Sequence, residues 1–177
     1  MIKILKQKME QELSIINNKL IRKRIKREIG MLINDNICGE NEFKIIHNIQ
    51  TSYRNMVEYV ISFKNLNDNN YYKFIISDNY PFKPPKLKIN DKHLSFYHKI
   101  TNDIFRISLK KYTGIECFCC ETLLCYNNWN PQFTINDIIK NINDFRNANR
   151  QVIVRLIVDI IKRKYLNSDI HIIEWLY

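Results

Sequence analysis

Met56-Val57-Glu58-Tyr59-Val60-Ile61-Ser62-Phe63, a polar run over residues 65–70, and then Tyr71-Tyr72-Lys73-Phe74-Ile75-Ile76 form the stretch that decides the fold. In the first segment Val57, Tyr59, Ile61 and Phe63 alternate with other residues, and in the second Tyr72, Phe74 and Ile76 do the same. A period of two with β-branched and aromatic side chains predicts strands that bury one face. The asparagine-rich run between them is turn chemistry. Working backwards, residues 43–49 read as another strand, so three strands with short connections predict an antiparallel meander. Working forwards, residues 86–90 read as a fourth, shorter strand.

Outside the strands the period changes. Ile2, Leu5, Met9, Leu13, Ile16, Leu20, Ile21, Ile25, Ile29 and Leu32 recur at helical steps, predicting one N-terminal helix that ends near Gly30, with turn residues over 34–39. Arg22, Lys23, Arg24, Lys26 and Arg27 form a basic run in it, read as a solvated face that is compatible with docking. At the other end, Thr134 is positioned to cap a helix carrying Ile135, Ile138, Ile139 and Ile142 on one face. Further on, Gln151, Arg155, Asp159 and Lys162 mark a narrow polar stripe through an apolar run, predicting a mostly buried helix. Residues between the fourth strand and Thr134 read as irregular. Helix, strands and helices thus segregate along the chain, which predicts an α+β domain rather than a parallel α/β sheet.

The chain has 177 residues, 45% hydrophobic and 12% aromatic, enough for one domain with a sizeable core. The most apolar stretch, residues 152–161, is interrupted by Arg155 and Asp159 and is too short to span a bilayer. Lysines at positions 3, 6 and 8 break up the apolar core that a secretion signal needs. An intracellular protein, cytoplasmic or nuclear, is expected. The formal net charge of +10 suits nucleic acid, an acidic membrane surface or an acidic protein. Nucleic acid is the weaker reading. The tyrosines fall mostly at alternating strand positions, and no helix-turn-helix, finger or RNP-type motif is present.

Two further stretches carry chemistry. Tyr80-Pro81-Phe82-Lys83-Pro84-Pro85-Lys86 holds three of the four prolines, which end sheet pairing and fix a loop in one shape. Cys120-Glu121-Thr122-Leu123-Leu124-Cys125-Tyr126-Asn127-Asn128-Trp129-Asn130-Pro131 sets a cysteine nine residues before a Trp-x-Pro, with Thr134-Ile135 opening a helix soon after. The proline string after a third meander strand resembles the signature loop of ubiquitin-conjugating enzymes, and the second string resembles that family's active-site segment. The resemblance covers roughly residues 13–150. It implies a ubiquitin-conjugating fold over residues 13–177, including the C-terminal helices, behind a helical extension over residues 1–12.

The resemblance also implies a function. An activating enzyme would pass the carboxyl terminus of ubiquitin, or of a ubiquitin-like modifier, to Cys120 as a thioester, for transfer to a ligase cysteine or a substrate lysine. Cys119 is the second choice, since a one-residue loop difference exchanges the two. Trp129 and Pro131 would shape the active-site loop, and Phe82 and Pro131 would meet the ligase, supported by the first helix. Neither a cofactor nor a membrane partner is expected. Such chemistry needs an exposed thiol that ionises readily, and Arg106, Lys110 and Lys111 lie nearby in sequence.

The match breaks upstream of the cysteine. The family's His-Pro-Asn, whose Asn donates to the oxyanion during lysine transfer, is absent. Tyr97-His98-Lys99-Ile100, with Asn102 beyond, is the nearest string, and Asn127 and Asn128 lie on the other side. Glu121 places a carboxylate beside the thiol, where it opposes thiolate formation. Transfer to a ligase cysteine survives such a loss better than transfer to lysine, and an inactive relative that binds ubiquitin or ligases is the alternative. Four of the five cysteines fall within residues 117–125, too local for a disulfide framework, and a structural zinc site on Cys117, Cys119, Cys120 and Cys125 is the alternative reading of the cluster.

Overall fold

The structure, a computed structural model, describes residues 10–14, 16–50, 56–93 and 102–165. Residues 10–14 are helical, and α1 follows over Lys19–Asn34. The single N-terminal helix expected from the periodicity is therefore interrupted. Asn18 is the reason: its side chain accepts from the Leu20 and Ile21 N–H groups at 3.0 and 3.3 Å and so caps a new helix start. Gly30 does not end α1, which runs on to Asn34 with Asp35 as its C-cap.

Five strands follow: β1 (Cys38–Gln50), β2 (Met56–Asn65), β3 (Tyr71–Ser77), β4 (Lys86–Ile89) and the short β5 (Lys92–His93), which the sequence reading lacked. They pair antiparallel in the order β1-β2-β3-β4-β5, a meander. The register aligns Phe43 with Phe63, Phe63 with Tyr72, and Tyr72 with Ile89. The alternating set thus lands on one buried face. Phe63, Tyr72 and Phe74 stack across it with ring centroids 5.9 to 6.3 Å apart. Asn69 takes a positive φ of 59° in the β2–β3 turn, and Asp68 accepts the Asn70 N–H at 3.0 Å.

Beyond the sheet lie α2 (Asp103–Thr113), α3 (Phe118–Glu121) and α4 (Ile135–Tyr165). The stretch read as irregular contains α2, capped by Asn102, whose side chain accepts from the Ile104 N–H at 2.9 Å, and ended by Gly114 at φ 75°. The Thr134 cap is as expected. The Thr134 N–H donates to Asp137 at 2.8 Å, and the Asp137 N–H donates back to Thr134 Oγ1 at 3.2 Å, a reciprocal capping box. No Gly or Pro lies between residues 135 and 165, and α4 runs unbroken for 31 residues where two helical segments were anticipated.

Two apolar clusters result. One joins α1, the sheet and the first turns of α4 through Ile135, Ile138, Ile139 and Ile142. The other joins α2, α3 and the middle of α4 through Leu109, Phe118, Ala148 and Val152. The apolar run late in α4 is not mostly buried, contrary to expectation: Val152 is covered, while Ile153, Val154, Ile157, Ile160 and Ile161 are exposed. The architecture is α+β, an antiparallel sheet with helices before and after it. Among the described residues no helix is long and apolar enough to cross a membrane.

Candidate functional site

The two motifs, separated by more than thirty residues of chain, meet through Trp129. Its indole Nε1–H donates to the Pro81 carbonyl at 2.6 Å, and its ring lies 6.2 Å from that of Tyr80 and 6.1 Å from that of Phe133. A half-buried indole keeps its single donor satisfied when a partner is near, and the proline-loop carbonyl supplies one. The Tyr80–Pro81 peptide bond is cis. Phe82, next along, is 74% exposed, so it is not a core plug beneath the loop. Pro131 is half-buried beside Trp129 in sequence.

A buried acid holds this junction to the rest of the molecule. Glu28 is only 1% exposed, and its carboxylate accepts from Arg24, from the Tyr80 hydroxyl and from the Ile135 N–H at 3.1 Å. One side chain of α1 thus fixes both the start of the proline loop and the N-terminus of α4, where a negative charge also suits the helix dipole. Arg24 reaches further, donating to the Phe133 carbonyl at 2.6 Å. Burial, together with the Glu28 carboxylate, pushes the Tyr80 hydroxyl well above its usual range. The basic run is therefore not simply a solvated face. Arg22 donates to the Ile16 carbonyl and Lys26 pairs with Glu10, while Lys23 and Arg27 remain exposed.

The cysteine segment is pinned at several points. Phe118 is buried against Phe145 at 4.9 Å between ring centroids, which seats α3 on α4. The Leu123 N–H donates to Asn141 of α4 at 3.1 Å, and the Trp129 N–H donates to the Cys125 carbonyl at 3.0 Å. Cys120, in α3, is exposed; Cys125 is half-buried. Asn128 closes the turn from the far side, its amide donating to the Cys120 carbonyl and to the Thr122 carbonyl at 3.3 Å. Neither Asn128 nor Asn141 was singled out from the sequence for this role, although an Asn beside the Trp-x-Pro is a readable turn signal.

Several expected contributors have other partners. Asn102 spends its carbonyl oxygen on the cap of α2, and Asn128 spends its amide on the cysteine turn. Tyr97, His98, Lys99 and Ile100 lie outside the described residues. Lys110 pairs with Glu116, Arg106 pairs with Asp103, and Lys111 sits 5.0 Å over the Tyr112 ring. The Glu121 carboxylate accepts the Glu116 N–H at 2.9 Å. Cys117 is disulfide-bonded, so it cannot serve the zinc alternative as a thiolate. The side chain of Cys119 lies outside the described residues. Among the described residues no cluster of three His, Cys, Asp or Glu side chains is arranged to hold a metal ion.

Comparison with protein-family models, with curated proteins and with solved structures finds no match to this chain.

Proposed function

We propose that the chain has a ubiquitin-conjugating fold and carries ubiquitin, or a ubiquitin-like modifier, as a thioester on Cys120. The observation that carries the reading is the Trp129–Pro81 hydrogen bond: the two sequence strings that resemble the family are physically joined, and the Trp129 N–H also bonds the Cys125 carbonyl of the cysteine string. Cys120 is exposed, as an acyl carrier must be, since both the donor and the acceptor approach its sulfur from outside. In the charging step the Cys120 thiolate attacks the carbonyl carbon of the activating enzyme's thioester, a new carbon–sulfur bond forms to Cys120, the bond to the enzyme's sulfur breaks, and that sulfur leaves as the thiolate.

Exposed Phe82 beside the Trp129 loop is the apolar contact proposed for a ligase. The outer side of α1 offers a groove of about 710 Å³ lined by Leu20, Lys23, Lys26, Arg27 and Met31, suited to an acidic surface of an activating enzyme or ligase. A second reading has its own observation. Asn128 spends its side-chain amide on the Cys120 and Thr122 carbonyls, so it does not supply the donor that lysine attack requires. That favours transfer to a ligase cysteine, or an inactive binding role, over direct lysine transfer.

The test is charging. Incubation with activating enzyme, ATP and ubiquitin is expected to give a thiol-sensitive adduct on a non-reducing gel. The adduct should be lost in Cys120→Ser and kept in Cys125→Ser and Cys119→Ser. No adduct with ubiquitin or with a panel of ubiquitin-like modifiers supports the inactive reading instead.

A further inference from the structure

The exposed side of α4 beyond residue 150 has no covering element among the described residues. Ile153, Ile157 and Ile160 stand at i, i+4 and i+7, a single stripe, and are 44%, 51% and 62% exposed. Val154 and Ile161 widen it on one side. With a helical rise of about 1.5 Å per residue, the stripe runs for roughly 12 Å. The same helix packs Ala148, Val152 and Leu156 against the α2 and α3 cluster, so the stripe lies on the side of α4 turned away from that cluster. Aliphatic side chains at this density on a water-facing ridge mark an interaction surface.

The charge around the ridge says what fits it. Arg150 precedes the stripe, Arg155 lies within its length, and Lys162, Arg163 and Lys164 follow it. Among the described residues no carboxylate pairs with any of these five. The acid in this stretch, Asp159, accepts the Tyr112 hydroxyl at 2.8 Å and faces α2. Arg155 stacks 5.0 Å over the same Tyr112 ring and so also faces α2, which leaves Arg150, Arg163 and Lys164 as the cations beside the ridge. Cations in the last turn suit the helix dipole, but Arg150 and Arg155 lie far from that turn and gain nothing from it.

We infer that this ridge docks an acidic amphipathic helix of a partner protein, its apolar stripe packed on Ile153, Ile157 and Ile160 and its carboxylates paired with Arg150, Arg163 and Lys164. Ridge-into-groove packing of two helices suits a narrow, β-branched stripe. A second copy of this chain would bring two positively charged ridges together. An acidic lipid surface suits the ridge less well, because the stripe carries no Trp or Phe to seat at a headgroup boundary. The surface is distinct from the cysteine turn and does not depend on the conjugation reading.

The experiment uses the full chain and two fluorescein-labelled synthetic peptides of about five helical turns. One carries a Leu stripe with Glu on its remaining faces, and the other carries Lys in place of every Glu. The acidic peptide is expected to bind and the basic one not. Binding is expected to weaken about tenfold in Ile157→Asp, and again between ~50 and ~300 mM salt. The triple variant Lys162→Glu, Arg163→Glu, Lys164→Glu, which leaves the apolar stripe intact, should lose affinity for the acidic peptide by a similar factor. Circular dichroism on each variant keeps unfolding from passing as lost binding. The proposal is overturned by equal binding of both peptides, or by binding indifferent to Ile157→Asp. It is also overturned if sedimentation shows a dimer that Ile157→Asp dissolves. Two more results overturn it: capture by phosphatidylserine vesicles with no peptide binding, or peptide binding only after removal of residues 166–177.

Discussion

The sheet side of the molecule and the cysteine side are held together by different means. On the sheet side, α1 and four strands bury a continuous aromatic and aliphatic face, and most side chains there are replaceable only at a large cost. On the cysteine side, a four-residue helix and a run of turns are held by Phe118, Asn141, Asn128 and Trp129, with Leu123, Leu124 and Trp129 only partly buried against the core. The fully buried large side chains of the molecule thus lie mainly in α1 and the sheet, whereas the cysteine segment carries exposed Cys120 on turns held by hydrogen bonds and partly buried side chains. Substitutions on the two sides should therefore separate stability from charging.

The largest effect expected is in the sheet. Phe74→Ala removes a fully buried ring from the Phe63–Phe74–Tyr72 stack and should cost about 3–5 kcal/mol in urea unfolding. A cost below ~1 kcal/mol would break the comparison at its stronger end. Next comes Glu28→Ala at the junction of the two sides. It leaves Arg24, the Tyr80 hydroxyl and the Ile135 N–H without their acceptor, and a loss of roughly 3 kcal/mol is expected. Charging by the folded fraction should also slow, because the proline loop and α4 lose their shared anchor.

A smaller, pH-dependent effect should appear at Asp68, which ties the β2–β3 turn to α4. Burial opposes ionisation there, but hydrogen bonds from Asn70, Tyr72 and Arg146 outweigh it and hold the carboxyl below its usual range. A folded-state carboxyl depressed in this way adds stability that is present above the unfolded value of about 3.9 and is lost as pH falls through the lower folded value. Asp68→Asn should thus flatten the acid limb of a stability-versus-pH curve below about pH 4. An unchanged limb would remove this contact from the account. Smallest of all is Trp129→Phe, which keeps most of the packing and loses the bond to Pro81, at about 1 kcal/mol. Its charging rate should fall by more than its stability, whereas equal falls would make the link merely structural.

The two sides also differ in what could be read from sequence. The strands were legible because each buries alternate residues, so period and burial agree at Tyr59, Ile61, Tyr72 and Phe74. The Thr134 cap was legible because a side-chain oxygen at a helix start has one purpose. By contrast α2 was hidden, since Ile104 and Ile107 face solvent and blur its periodicity; Asn102 and Gly114 were the signals that would have found it. The exposed ridge of α4 was misread as buried for the opposite reason, because an apolar run reports hydrophobicity and not whether anything covers it. At the site, Cys120, Trp129 and Phe82 were named from motif resemblance. Asn128, Asn141 and Glu28 act through contacts across the fold that spacing does not reveal. Glu28 alone left a trace, as an acid on the apolar face that carries Ile21 and Ile25.

The most direct measurement replaces the sulfur by oxygen and asks what bond forms. After incubation with activating enzyme, ATP and ubiquitin, the wild-type adduct should be cleaved by thiol reductant. Any adduct on Cys120→Ser should resist reductant and yield to alkali, as an oxyester does. That exchange of lability assigns the acyl bond to position 120. A wild-type adduct that survives reductant, or a thiol-sensitive adduct that persists in Cys120→Ser, would contradict the assignment and place the acyl group elsewhere.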